Sequence, residues 1–111
     1  MIEERVISYL SEQLQLPVYA ERPQDPDAEY ILVERTGGSS QDHIRSATLA
    51  IQSCAASLYR AAEIDQSVEG AMEGITSLAN ISRCELNNSY NFTDTESKTY
   101  RYQAVFHLVY M

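Results

Sequence analysis

The chain has no tryptophan, one lysine and two cysteines among its 111 residues, and the last two scarcities narrow what it can do. Lys98 is the only lysine and the seven arginines are scattered, so there is no clustered basic stripe for the phosphates of a nucleic acid. A formal net charge of -8 opposes the same partner and fits a well-solvated surface, or one that meets opposite charge. Cys54 and Cys84 lie too far apart in sequence for a CxxC metal pair and read as two buried thiols in a reducing cytoplasm. No apolar run approaches the roughly 20 residues of a membrane span. The opening Met1-Ile2-Glu3-Glu4-Arg5 lacks the basic patch and apolar core of a signal peptide. The expectation is a soluble protein that stays where it is made. Three Asn-x-Ser/Thr triplets, at Asn80, Asn87 and Asn91, carry no weight without secretion.

What is present suffices for one α+β domain over residues 1–111, since 44% apolar content supports a core of its own. Ile2, Val6, Leu10 and Leu14 recur every four residues and predict a helix of three to four turns, ended by Pro17. Glu3 and Glu4 suit the positive end of its dipole. Residues 17–20 fit a short strand, and 21–28, with Pro23 and Pro26, a turn-rich connection. Residues 30–36 read as a strand that Gly37-Gly38-Ser39-Ser40 breaks. Residues 44–54 form the next, with Ala47, Leu49 and Ile51 inward and Ser46, Thr48 and Gln52 outward. Together these make a hairpin whose tip is residues 37–43, with glycine supplying positive φ there. Ser57 caps a second helix, whose buried side is traced by Leu58, Ala61, Ala62, Val68, Ala71, Met72 and Ile75. Arg60, Glu63, Glu69 and Glu73 trace its wet side. Gly70 and Gly74 weaken this helix, and fit either close packing on the sheet or a frayed end. Residues 81–86 form a strand, residues 87–99 a long polar loop, and the chain ends in a strand from Tyr100. The order is α-β-β-β-α-β-β, a mostly antiparallel sheet with two helices on one face.

The last stretch is the most informative. On the final strand Tyr100, Tyr102, Ala104, Phe106, Leu108 and Tyr110 share one face, which belongs in a core. Arg101, Gln103, Val105, His107, Val109 and Met111 share the other, a mixture that suits a partner better than water alone. The loop before it carries Tyr90 and Phe92 among amides and hydroxyls, and long loops with aromatic anchors tend to serve recognition.

Catalytic alternatives are weaker. Asp42-His43 beside Ser39 and Ser40 contains the residue types of acyl transfer, but on one hairpin tip without a nucleophile elbow. The Gly-Gly-Ser-Ser run leads into a strand rather than a helix and lacks a lysine, so it does not read as a phosphate loop. His107 has no second histidine at metal-ligand spacing. A Cys54–His43 pair is a guess any sequence of this size permits. No catalytic residue, metal or cofactor is expected. Arg35 and Arg101 fit interface cations, whose planar guanidinium groups stack and donate several hydrogen bonds.

Four segments, in order, carry a resemblance: Val33-Glu34-Arg35-Thr36-Gly37-Gly38, Leu49-Ala50-Ile51-Gln52, Tyr90-Asn91-Phe92-Thr93-Asp94 and Tyr100-Arg101-Tyr102-Gln103. They resemble the signature pieces of the tail-completion proteins, or tail terminators, of long-tailed bacteriophages and their prophages. The resemblance spans nearly the whole chain. Where many such proteins carry a tryptophan after the Ile-Gln strand, this chain has Cys54. The resemblance implies a structural, non-enzymatic subunit of a hexameric ring that caps the tail tube, ends its polymerisation and faces the head connector. It also implies the host bacterial cytoplasm during assembly and afterwards the head-proximal end of the virion tail. Partners would be copies of itself, the tail-tube protein and head connector proteins, with neither nucleic acid nor membrane. Arg35, Gly37, Gly38, Tyr90, Asn91, Phe92, Asp94, Arg101 and Tyr102 are the expected contact residues. The alternatives are a head-tail joining component of related fold and a small hydrolase using His43.

Overall fold

The computed structural model describes residues 1–97 and 99–111. Lys98, the lone lysine, thus lies outside the described residues. In chain order the elements are α1 (Ile2–Leu14), β1 (Val18–Tyr19), β2 (Tyr30–Gln41), β3 (Ile44–Ala55), α2 (Leu58–Glu73), a 3-10 turn (Ile75–Ser77), β4 (Ile81–Asn91) and β5 (Tyr100–Tyr110). The strands make one sheet in the order β1-β2-β3-β5-β4. Only the β1–β2 pair is parallel; the others are antiparallel. Both helices lie on one face, so the fold is α+β as the sequence predicts.

The core forms between that face and the helices. Ile2, Val6 and Leu10 of α1, and Ala61, Ile64, Val68 and Met72 of α2, close over Ile31, Val33, Ala47, Leu49, Ile51, Ala104, Phe106 and Leu108. Burying a side chain of this size stabilises the fold by about 1.5–3 kcal/mol relative to leaving it in water. α1 ends with Gln15 in the left-handed region at φ 56°, its N–H returning to the Ser11 carbonyl at 3.1 Å. Ser57 caps α2 as expected, its Oγ accepting the Arg60 N–H at 3.2 Å. The helices are tied together where Tyr9 donates its hydroxyl to the Ala71 carbonyl at 2.6 Å.

Several local expectations are corrected. The Gly-Gly-Ser-Ser run does not break β2, which continues to Gln41 with a single irregularity between Arg35 and Gly37. The extra residue is Thr36, a β-bulge, which bends a strand without ending it. The hairpin tip is therefore only Asp42-His43, at φ 53° and 68°. Two successive residues of positive φ are what a type I′ turn demands, and Asp and His tolerate that region better than most. No glycine has positive φ, so the glycines of β2 do not act by supplying it. Residues 87–91 belong to β4 and not to a loop; only residues 92–99 connect it to β5, with an Asp94–Thr99 bridge inside. Leu58, the first residue of α2, is exposed rather than buried. Gln52 points away from the helices as expected, yet is buried. Gly74 caps α2 with the Tyr9 hydroxyl close against it, while Gly70 has open space around it, so close packing accounts for Gly74 and not for Gly70. No helix among the described residues is long and apolar enough to cross a membrane.

Candidate functional site

Because side chains alternate along a strand, the register fixes what lies on the sheet face that no helix covers. One transverse row runs Leu32, Gln52, Gln103, Tyr90, and the next runs Tyr30, Cys54, Arg101. A third carries Glu34, Ala50, Val105 and Asn88. His107, between Thr48 and Glu85, follows on the same face.

The end of this face nearest the β4–β5 connection is organised by directed contacts. Gln52 Nε2 donates to Gln103 Oε1 at 3.0 Å, and Gln103 Nε2 donates in turn to the Tyr90 hydroxyl. The two glutamines are buried, and these bonds pair the Gln52 Nε2 and both polar atoms of the Gln103 amide. Tyr90 meets Phe92 edge-to-face, ring centroids 6.0 Å apart. The Arg101 guanidinium lies 5.1 Å from the Phe92 ring centroid, while its Nε donates to the Phe92 carbonyl at 2.9 Å. Phe92 itself stays 40% exposed. A cation held over a ring that still faces solvent is a contact surface ready before any partner arrives.

The remaining expected residues divide. Asn91 is next to the cluster, but its Oδ1 accepts from the Thr93 N–H at 3.0 Å and the Thr93 hydroxyl at 2.7 Å. Asp94 holds the connection in shape: its Oδ2 accepts from Ser97 Oγ at 2.8 Å and its Oδ1 from the Glu96 N–H at 3.1 Å. These donors hold its carboxyl below the usual range. Tyr102 is on the opposite face, packed against the core. Arg35, Gly37 and Gly38 lie on β2, three strands across from β4 and further toward the hairpin tip than the rows of the cluster. Arg35 Nε donates to the Gly37 carbonyl at 3.3 Å. Gly37 has nothing near it, whereas a Cβ on Gly38 would stand 2.7 Å from the Ser46 carbonyl and also meet the Arg35 guanidinium.

Nucleophilic chemistry finds little support in the geometry. His43 and Cys54 sit at opposite ends of β3, roughly 35 Å apart at strand spacing. Ser39 Oγ pairs with Ser46 Oγ at 2.8 Å. Burial pushes the Cys54 thiol up, against the requirement for a thiolate, and pushes Cys84 up to about 11. A groove of about 520 Å³ lies away from the cluster, between α1 and residues 78–80. Arg5 bonds the Ala79 carbonyl there.

One residue escaped the sequence reading. Asp65 of α2 is 3% exposed and faces β4, where Ser89 Oγ donates to its Oδ2 at 2.7 Å. Its Oδ1 has no hydrogen-bond partner among the described residues. Burial first, and then the Glu69 carboxyl one turn on, raise its pKa to about 7. The signal was present: Asp65 stands four residues after Ala61 and three before Val68, within the apolar stripe. Gln103 and Gln52 likewise become a pair only once the register is known.

No protein-family model matches the chain, and no curated protein matches it.

Proposed function

We propose that this chain is a tail terminator of a long-tailed bacteriophage or prophage, a structural subunit that assembles with copies of itself and caps the tail tube. The observation that carries this reading is the cluster of Tyr90, Phe92, Arg101 and Gln103 on a sheet face left free of helices. Aromatic rings and an arginine, held in place by their own hydrogen bonds, are the groups that dominate protein–protein contacts. They need no ordering on docking. The four-segment resemblance supplies the kind of partner, a tube-end subunit, and the head connector on the other side. The reading places the protein in the host cytoplasm during assembly and at the head-proximal end of the tail afterwards. It assigns the chain no catalytic step.

Electron microscopy of tail tubes incubated with the protein tests it. The expected result is added density at one end of each tube, lost with Phe92→Ala or Arg101→Ala. Decoration of head portals with bare tube ends would favour a head-side joining component instead. A turnover that disappears in His43→Ala, while assembly continues, would favour the hydrolase alternative.

A further inference from the structure

Both long edges of the sheet are open, and they match. On one side β1 covers only Ile31 and Leu32 of β2, so residues 33–41 have no strand beyond them among the described residues. On the other side β4 is outermost along its length. Proteins commonly blunt such edges with proline or lysine. Neither residue occurs in 33–41 or in β4, and residues 36–41 and 86–91 carry no charge at all. In a chain of net charge -8, uncharged stretches are where a second, equally acidic copy can approach without repulsion.

The backbone decides what each edge offers. A two-residue turn makes Gln41 and Ile44 a hydrogen-bonded pair, so alternation turns the N–H and C=O of Ser40 and of Gly38 away from β3. At the other edge the Phe92 N–H bonds the Arg101 carbonyl at 2.9 Å, so Ser89 and Asn91 turn theirs away from β5. The Ser89 N–H is meanwhile covered by Asn88 Oδ1 at 2.9 Å, a local cap that a strand could displace. Strands β2, β3, β5 and β4 alternate in direction, so β4 of one copy would run antiparallel to β2 of the next.

We propose that copies of this chain join head to tail by sheet extension, residues 88–91 at the β4 edge of one pairing with residues 38–41 of β2 in the next. In the favoured register Gly38 stands opposite Asn91 and Ser40 opposite Ser89. This register puts Ser39 opposite Tyr90, keeping the helix-free face continuous between copies. Such a contact is heterologous: each copy uses one edge and presents the other, so a ring forms if the rotation closes. The inference deepens the assembly reading, resting on its self-association and not on docking to a tube.

Ser40→Pro and Asn91→Pro each delete one outward N–H and spare the bonds to β3 and β5. In sedimentation velocity, the wild type should form species larger than a monomer and each variant alone should be monomeric. An equimolar mixture of the two should stop at a dimer, because it contains one intact edge of each kind. That dimer would also establish that both variants fold. Wild type that remains monomeric at every concentration, either variant assembling like wild type, or a mixture that stays monomeric would overturn the proposal. As a second measure, Ser39→Cys and Tyr90→Cys chains, each also carrying Cys84→Ser, should form a disulfide-linked dimer when mixed under mild oxidation and not when oxidised separately. Absence of that dimer while wild type assembles would reject the register. Tube capping by a protein that fails these tests would refute the edge contact alone; edge pairing without capping would refute the terminator reading alone.

Discussion

Two neighbouring glycines behave differently, which shows how much depends on a single atom. A methyl group at Gly37 meets nothing within 4 Å and φ there is ordinary, so Gly37→Ala should change stability by less than about 0.5 kcal/mol. At Gly38 the same methyl stands 2.7 Å from the Ser46 carbonyl, part of the adjacent backbone. Gly38→Ala should cost about 1–3 kcal/mol in urea unfolding, because β2 or β3 must shift. Asp65 makes a prediction of a different kind. Its pKa of about 7 lies above that of an aspartate in an unfolded chain, so its stabilising contribution is full below about pH 4. The contribution falls as pH rises, and is gone once the folded carboxyl ionises near 7. Asp65→Asn keeps an acceptor for Ser89 and cannot ionise. Its advantage over wild type should therefore be near zero at pH 4 and reach on the order of 1–3 kcal/mol at pH 8. A difference independent of pH would contradict the assignment.

At the scale of elements, what was legible in the sequence depended on whether pattern or register carried the information. The helices were legible because Ile2, Val6 and Leu10, and Ala61, Val68 and Met72, repeat at the helical period and all face the core. The even positions of β5 were legible for the same reason at period two, although Tyr100 at its start remains exposed. The extent of β2 was not, since Gly-Gly-Ser-Ser is turn-like by composition. Its pairing to Ala47, Ser46 and Arg45 of β3 overrides that local preference. The first half of the expected polar loop was misread in the same way: Asn88, Ser89, Tyr90 and Asn91 are strand because β5 offers partners for them. The aromatic cluster was recognised from residue type, but its pairing of Phe92 with Arg101 follows from the short connection that returns β5 beside β4. Two predictions belong here. Ser57→Ala should lower stability by about 1 kcal/mol through the lost α2 cap, measured by thermal unfolding. His43→Gly should raise it by about 0.5–1 kcal/mol, since glycine adopts the positive φ of the turn without strain.

For the whole molecule, the layering is what connects structure to the proposed role. Both helices occupy one face, and twelve-residue strands carry the β2–β3 hairpin outward along a 44 Å long axis. The other face is left with amides, rings and an arginine, bounded by the β4 edge and by the part of β2 that β1 does not cover. That arrangement favours assembly into something larger over enclosure of a small molecule. Acidity acts at this scale too: with a net charge of -8, association between copies should strengthen as added salt screens repulsion, read by sedimentation at increasing ionic strength.

The most direct measurement is the length of tail tubes grown in vitro, scored by electron microscopy, with the protein added partway through polymerisation. Tubes should stop elongating at the moment of addition and carry a cap at one end. Tubes that keep lengthening with bare ends, in the presence of excess protein, would contradict the account.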